Sequence, residues 1–216
     1  MDKKFLGPVL SSLSKTELAA ILKFLAKMRA CDSLATDINF DDVSEGTVIN
    51  NYYSAKGVTF SNPNVAGGKG NVYARNSWNN PDSSPNCISV FQVGFPFFDE
   101  SYGIVEVKFT KAQIVVSIDA MPMLFPESLN QPVQAKPYLE VYDTRGLLLQ
   151  RVYYPADYGE PQWGTWQKLE YISSTVNIGS IRFASQRLFP WVYSTFDNLH
   201  FSPCSFSMIM KKRSRA

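Results

Sequence analysis

The sequence is poor in the residues on which most catalysis depends. His200 is the single histidine in 216 residues, so a Ser–His–Asp or Cys–His arrangement would have to pass through that one ring. It sits in the middle of an alternating stretch, and neither Gly-x-Ser-x-Gly nor another nucleophile elbow occurs. Three cysteines, Cys31, Cys87 and Cys204, are too few for a disulfide framework. Their spacing fits no zinc motif, and at most one bridge can form. There is no Asn-x-Ser/Thr acceptor, and Gly67-Gly68-Lys69-Gly70 lacks the strand–loop–helix setting of a phosphate cradle. No run approaches the roughly 18 apolar residues that span a bilayer. The formal net charge is only +2, so no global field favours nucleic acid and no nucleic-acid partner is expected. Glu106, Glu140 and Glu170 could pair as a glycosidase acid and base. All three read as wet-face strand residues, and nothing sets the separation that such chemistry needs. The chain is expected not to be an enzyme.

What is present is material for a core: 45% of residues are hydrophobic and 14% aromatic, enough for one full domain with an appendage. Met1-Asp2-Lys3-Lys4 before Phe5–Leu10 resembles a basic leader with a stunted apolar segment. Ser11–Glu17 interrupts it, so a cleaved signal is the weaker reading. A helix is expected from Lys15 to Ala30. Ser14 and Glu17 form the S-x-x-E capping box, which satisfies two otherwise orphaned backbone donors. Leu18, Ile21, Leu22, Leu25 and Met28 then share one face, with Lys23 and Lys27 on the other. Packing of this stripe on the domain or on a second copy outweighs a membrane-surface role, because Glu17 and the alanines dilute the basic face. Leu18, Leu22, Leu25 and Met28 are therefore the interface candidates, and a homo-oligomer is expected. Residues 1–36 form this extension and a linker.

From residue 37 to 203 the texture changes to short strands. They are expected at Thr47–Asn50, Val58–Ser61, Asn71–Arg75, Ile88–Val93, Ile104–Thr110 and Gln113–Met121, then at Tyr138–Tyr142, Leu147–Val152, Trp166–Ile172, Ser180–Ala184 and Thr195–Phe201. Val105, Val107 and Phe109 alternate with Glu106 and Lys108, the mark of an antiparallel sheet with one solvated face. Turn clusters such as Asp143-Thr144-Arg145-Gly146 separate the strands. Many short strands without helical interludes define an all-β, antiparallel jelly-roll β-sandwich. Residues 204–216 are a short apolar segment and a basic tail, Lys211–Arg215. Membrane contact is expected only through that tail or the N-terminal helix.

Near the end, Asp197 and Asn198 interrupt the alternation that runs through Leu199 and Phe201, and Ile38-Asn39-Phe40-Asp41-Asp42-Val43 nearly mirrors the stretch. If the two pair, carboxylates from both ends of the domain meet at one corner. They then either bind a cation or, as strand-end aspartates routinely do, accept backbone hydrogen bonds.

Phe40-Asp41-Asp42 with Gly46–Tyr52 and Gly57–Phe60, then Tyr138–Asp143 with Gly146-Leu147-Leu148, and finally Phe196–Phe201 carry a resemblance. In this order they are similar to the galactose-binding-like jelly roll of bacterial surface proteins, many with PEP-CTERM sorting tails, and to carbohydrate-binding modules of that architecture. The resemblance covers about residues 37–201 and implies an extracellular or cell-surface setting. It also implies a structural calcium site where the first and last strands meet. Asp41 and Asp197 match the family's carboxylates, and Asp42 or Asn71 with carbonyls near Gly68–Gly70 would complete the six to eight oxygens calcium takes. The chain departs from the family in its extra helix and in lacking a spanning tail.

Aromatic rings in loops give the remaining candidates. Trp78 among asparagines and Trp163 are the first choices for stacking on a sugar face, with Tyr158 and Trp191 beside them. Such rings equally plug sandwich ends or anchor protein contacts. The function expected is a non-catalytic, calcium-stabilised module for glycan binding or surface adhesion. The rival is a self-assembling shell, fibre or virion component that uses the helix and tail between copies.

Overall fold

The computed structural model describes residues 14, 16–22, 34–63, 70–75, 82–83, 85–91, 104–124, 136–157, 160–162, 164–185 and 192–204. Within them lie ten strands: β1 (Thr36–Ile38), β2 (Val58–Ser61), β3 (Ile88–Phe91), β4 (Val105–Gln113), β5 (Val115–Leu124), β6 (Pro137–Asp143), β7 (Leu148–Tyr153), β8 (Gln167–Ile172), β9 (Ile178–Ser185) and β10 (Val192–Ser202). One sheet runs β1-β10-β5-β8, with β3 also on β10, and the other runs β2-β4-β9-β6-β7. All pairings are antiparallel. The fold is the expected all-β jelly-roll sandwich.

Alternation decides which face each strand buries. Val105 and Val107, Leu139 and Val141, and Ile181 and Phe183 of one sheet face Ile118 and Ala120, Phe196 and Phe201 of the other, all at most 4% exposed. Phe183 and Phe196 join the layers at 4.7 Å between ring centroids, and Phe109 and Phe201 at 5.1 Å. Phe40, Tyr53 and Phe60 meet edge to face beneath the segment that follows β1. Pro122 is tolerated inside β5 because the last β5–β8 pair is Ala120–Gln167; beyond it β5 bonds to β10 alone.

Most expected strands are present, with two exceptions. Thr47–Asn50 and Asn71–Arg75 form isolated bridges, Val48–Tyr73 and Arg75–Cys87, rather than strands. Thr36–Ile38 pairs with Phe201–Leu199, so the sandwich begins inside the segment 1–36 expected as extension and linker; three residues are too few to show a period. The capping box forms as expected. The Ser14 amide donates to Glu17 Oε2 at 2.9 Å, and the Glu17 amide donates to Ser14 Oγ at 3.2 Å. Residues 16–22 are helical and none of them is buried. Leu18 is 38% and Leu22 57% exposed, so this turn of the stripe does not pack on the sandwich. Leu25 and Met28 lie outside the described residues. Cys87 is buried, and Cys204 is disulfide-bonded. No helix among the described residues is long and apolar enough to cross a membrane.

Candidate functional site

Two places gather polar chemistry. The first is the corner that the end strands make. On one side β10 pairs along its length with β5. On the other it pairs with β3 over Tyr193–Phe196 and with β1 over Leu199–Phe201. Asp197 and Asn198 fall in the gap between these two partners. The β5 register shifts there, and Asn198 adopts φ 50°, a left-handed conformation that asparagine tolerates. Asp197 has no exposed surface. Its Oδ2 accepts the Ser83 amide at 2.8 Å, its Oδ1 accepts the Asn198 amide at 2.7 Å, and the Ser83 hydroxyl reaches both oxygens. Burial pushes its carboxyl up to about 7; the Ser83 and Asn198 donors oppose this and the Asp41 charge adds to it. Asp41 in turn accepts the Asn86 amide at 3.0 Å. Asn198 Nδ2 donates to Asp82 at 2.9 Å and to Asp119 at 3.1 Å. Burial raises the Asp119 carboxyl; Asn198 opposes that shift and Asp82 reinforces it.

Of the four expected calcium ligands, the fold brings together two. Asp42 accepts the Tyr53 hydroxyl and pairs with Lys56. Asn71 bonds with Asn50 and Tyr73. Among the described residues no group of three or more carboxylate, histidine or cysteine side chains could hold a metal. His200 faces Asp37 across the β1–β10 pair, its Nδ1 2.7 Å from Oδ1. Trp78, Tyr158, Trp163 and Trp191 lie outside the described residues.

The second place went unread in the sequence: the outer face of the β2-β4-β9-β6-β7 sheet. Glu106 stands opposite Arg182, Arg182 opposite Glu140, and Glu140 opposite Arg151. Four neighbouring strands thus carry alternating charges in register, over roughly 14 Å at the usual strand spacing. Arg182 Nε and Nη2 donate to Glu106 Oε1 at 3.0 and 2.8 Å, and Lys108 reaches Oε2 at 3.1 Å. Arg151 Nε donates to Glu140 Oε1 at 2.9 Å, with Nη2 on the same oxygen, and the Tyr142 hydroxyl donates to Oε2 at 2.6 Å. The Arg182 guanidinium stacks over Tyr142 at 4.9 Å, and Arg151 over Tyr138 at 4.9 Å. Glu106 and Glu140 are only 7% and 5% exposed, which corrects their reading as wet-face residues: stacked arginine and tyrosine side chains cover them. Burial would raise the Glu106 carboxyl, but Arg182 and Lys108 outweigh it and hold it low. Burial also lifts the Tyr138 hydroxyl to about 12. Glu170, by contrast, is exposed as expected.

At the Glu106 end, the face dips into a recess of about 440 Å³ lined by Glu106, Lys108, Tyr142, Thr144, Ser180 and Arg182 among others. Its wall is the Asp143–Gly146 turn. The Asp143 carboxylate accepts the Arg145 and Leu147 amides and pairs with Arg145, and Gly146 takes φ 82°. The sequence held one signal for this face. Glu140-Val-Tyr142, Arg151-Val-Tyr153 and Glu106-Val-Lys108 repeat a polar–apolar–polar triplet on outward positions. Only register shows that their charges interlock.

The chain is an antiparallel jelly-roll sandwich, and solved structures of that fold resemble it. The K1 cleaved adhesin domain of Lys-gingipain from Porphyromonas gingivalis W83 matches with a TM-score of 0.50 at 9% identity, covering 79% of this chain and 99% of its own. The K2 cleaved adhesin domain of Lys-gingipain matches with 0.46 at 12% identity over 78% and 98% of the two chains. A family 61 carbohydrate-binding module, TmCBM61, solved with β-1,4-galactotriose, gives 0.33 at 13% identity over 74% and 94%. No family model matches the sequence, and no curated protein matches it.

Proposed function

We propose that this protein is a non-catalytic glycan-binding or adhesion module, and that the ladder face is its binding surface. One observation carries the reading: the in-register series Glu106–Arg182–Glu140–Arg151, flanked by Tyr138, Tyr142 and Tyr153. Planar guanidinium groups, held in place by the nearly buried carboxylates and still 35–40% exposed, present donors at set spacing beside tyrosine rings, which suits the vicinal hydroxyls of a sugar chain. Because the pairs are already formed, little side-chain entropy is lost on binding. The length of the ladder matches a short oligosaccharide rather than a single ring. An adhesive role is what the name of the gingipain domain suggests for a sandwich of this shape. The loop tryptophans, Trp78 and Trp163 first, remain a second candidate surface. Retention on immobilised neutral and acidic polysaccharides tests the reading. Arg151→Ala and Glu140→Gln should weaken retention while the fold is kept. A glycan array blank for the wild type would overturn it.

Calcium enters this proposal as a structural ion at the Asp41–Asp197 corner alone, where two carboxylates would supply charge and main-chain carbonyls the remaining oxygens. A second reading, self-assembly through the N-terminal helix, is favoured by the exposure of Leu18 and Leu22. It predicts that deleting residues 1–30 leaves a folded sandwich of smaller assembly size by light scattering; an unchanged size would remove it.

A further inference from the structure

We propose that the recess beside Glu106 receives the acidic group, carboxylate or sulfate, of a charged glycan laid along the ladder; the proposal rests on the glycan reading above. The argument is one of charge. Glu106 is a single carboxylate shared by two cations, Arg182 on Oε1 and Lys108 on Oε2. The other carboxylate in the wall, Asp143, is already met by the Arg145 guanidinium and two backbone amides. With Arg145 counted beside Asp143, the recess and its edge hold three cations, Lys108, Arg182 and Arg145, against two carboxylates, Glu106 and Asp143, an excess of one positive charge.

Its carrier is Lys108. That side chain is 65% exposed although its ammonium touches Glu106, and an ammonium has three donors, of which the Glu106 contact takes one. The Arg182 guanidinium is held differently, by two donors on Glu106 and over the Tyr142 ring. It shapes the floor, and Lys108 is free to swing toward a ligand. Thr144 and Ser180 add hydroxyls at the rim. Gly179 lets the wall close in, because a Cβ there would lie 2.7 Å from the Thr144 Cα. The volume, about 440 Å³, is at the lower end of ligand sites and suits one sugar unit with its charged group. A wholly neutral glycan would bind the ladder and leave this charge unanswered.

The test measures affinity by calorimetry for three probes: neutral galactotriose, tri-galacturonate and a heparin-derived tetrasaccharide. Either acidic probe is expected to bind the full-length protein at least ~10-fold tighter than galactotriose, a difference that shrinks as salt rises. Lys108→Gln, an exposed change checked by its melting temperature, should weaken acidic binding by a larger factor than neutral binding. Equal affinity for neutral and acidic probes, or an equal effect of Lys108→Gln on both, would overturn this inference and leave the glycan reading standing. Absence of binding by all three probes, with a blank array, would remove both.

Discussion

Ser83 and Asp197, 114 residues apart, meet across the gap between β3 and β1: the Ser83 amide donates to Oδ2 at 2.8 Å and its hydroxyl lies 3.0–3.1 Å from both carboxylate oxygens. The contact fastens the segment before β3 over the one interruption in β10. It also supplies a strong donor to a carboxylate with no exposed surface. A hydrogen bond to a charged group is worth about 1.5–3 kcal/mol. Ser83→Ala removes the hydroxyl and keeps the amide, so at pH 8 it should cost stability of that order. Urea unfolding checks this, and a loss under about 0.5 kcal/mol would mean the amide alone suffices.

The same carboxylate sets a pH dependence. Its pKa in the folded protein is raised to about 7, whereas an unfolded aspartate titrates near ~3.9. Between those values the folded state holds a proton that the unfolded chain has released. Stability from this group is therefore full below about pH 4 and is lost as pH rises through 7. Asp119, also raised, acts in the same sense. In EDTA, melting temperature should fall from pH 5 to pH 8, and Asp197→Asn should flatten the slope. A wild-type profile that rises across this window would contradict the burial argument.

Calcium can be separated from this effect. An ion between Asp41 and Asp197 would favour the ionised carboxylates and so stabilise most where the proton has left, above pH 7. EDTA should then lower the melting temperature at pH 8 more than at pH 5, and Asp197→Ala should remove the sensitivity. The absence of any shift in the wild type at pH 8 would leave the corner as a hydrogen-bonded closure.

The corner was legible in the sequence because it breaks a rule. Two polar residues interrupt an alternating strand, and a mirrored motif lies near the other end. That the two ends of the domain meet followed from it, although the strand that pairs is Thr36–Ile38 and only Ile38 of the mirrored motif takes part. The role of Ser83 did not, since a serine in a turn is ordinary and its partner lies 114 positions away. The ladder was hidden for a different reason. Each of Glu106, Glu140, Arg151 and Arg182 reads alone as a solvated strand residue, and only the register of four strands turns them into one buried-carboxylate array. Period 2 gives the face a residue occupies; it does not give its neighbour on the next strand.

Gly179 offers a test of the recess wall. A Cβ there would meet Thr144 Cα at 2.7 Å, with Asp143 O and Thr144 N at 3.0 Å. All three are backbone atoms in a turn pinned by the Asp143 carboxylate, so the turn must move as a unit. Gly179→Ala should cost about 1–3 kcal/mol, the range for overpacking, and should weaken glycan retention beyond what the stability loss explains. Unfolding and retention measured on the same preparation separate the two effects. A neutral substitution would show that the turn yields freely.

The ladder is expected to behave as one cooperative unit. Glu106 is 7% exposed, so removing Arg182 leaves a nearly buried carboxylate with Lys108 as its remaining partner. Breaking a fully buried ion pair costs ~3–5 kcal/mol. Here Lys108 stays in place and the Arg182 side chain is 35% exposed, so Arg182→Ala should cost less, roughly 1–3 kcal/mol. Arg182 also stands opposite Glu140 on β6, so its loss should loosen the hold on that carboxylate too. A double-mutant cycle of Arg182→Met with Glu106→Gln should give a coupling of roughly 1 kcal/mol or more. A second cycle, with Glu140→Gln in place of Glu106→Gln, should give a smaller coupling that is still above zero, because those two residues are joined by register without a direct ion pair. Additive losses in the second cycle would show that the series consists of two independent pairs, Glu106–Arg182 and Glu140–Arg151. The surface offered to a sugar chain would then be two short patches rather than one continuous stripe.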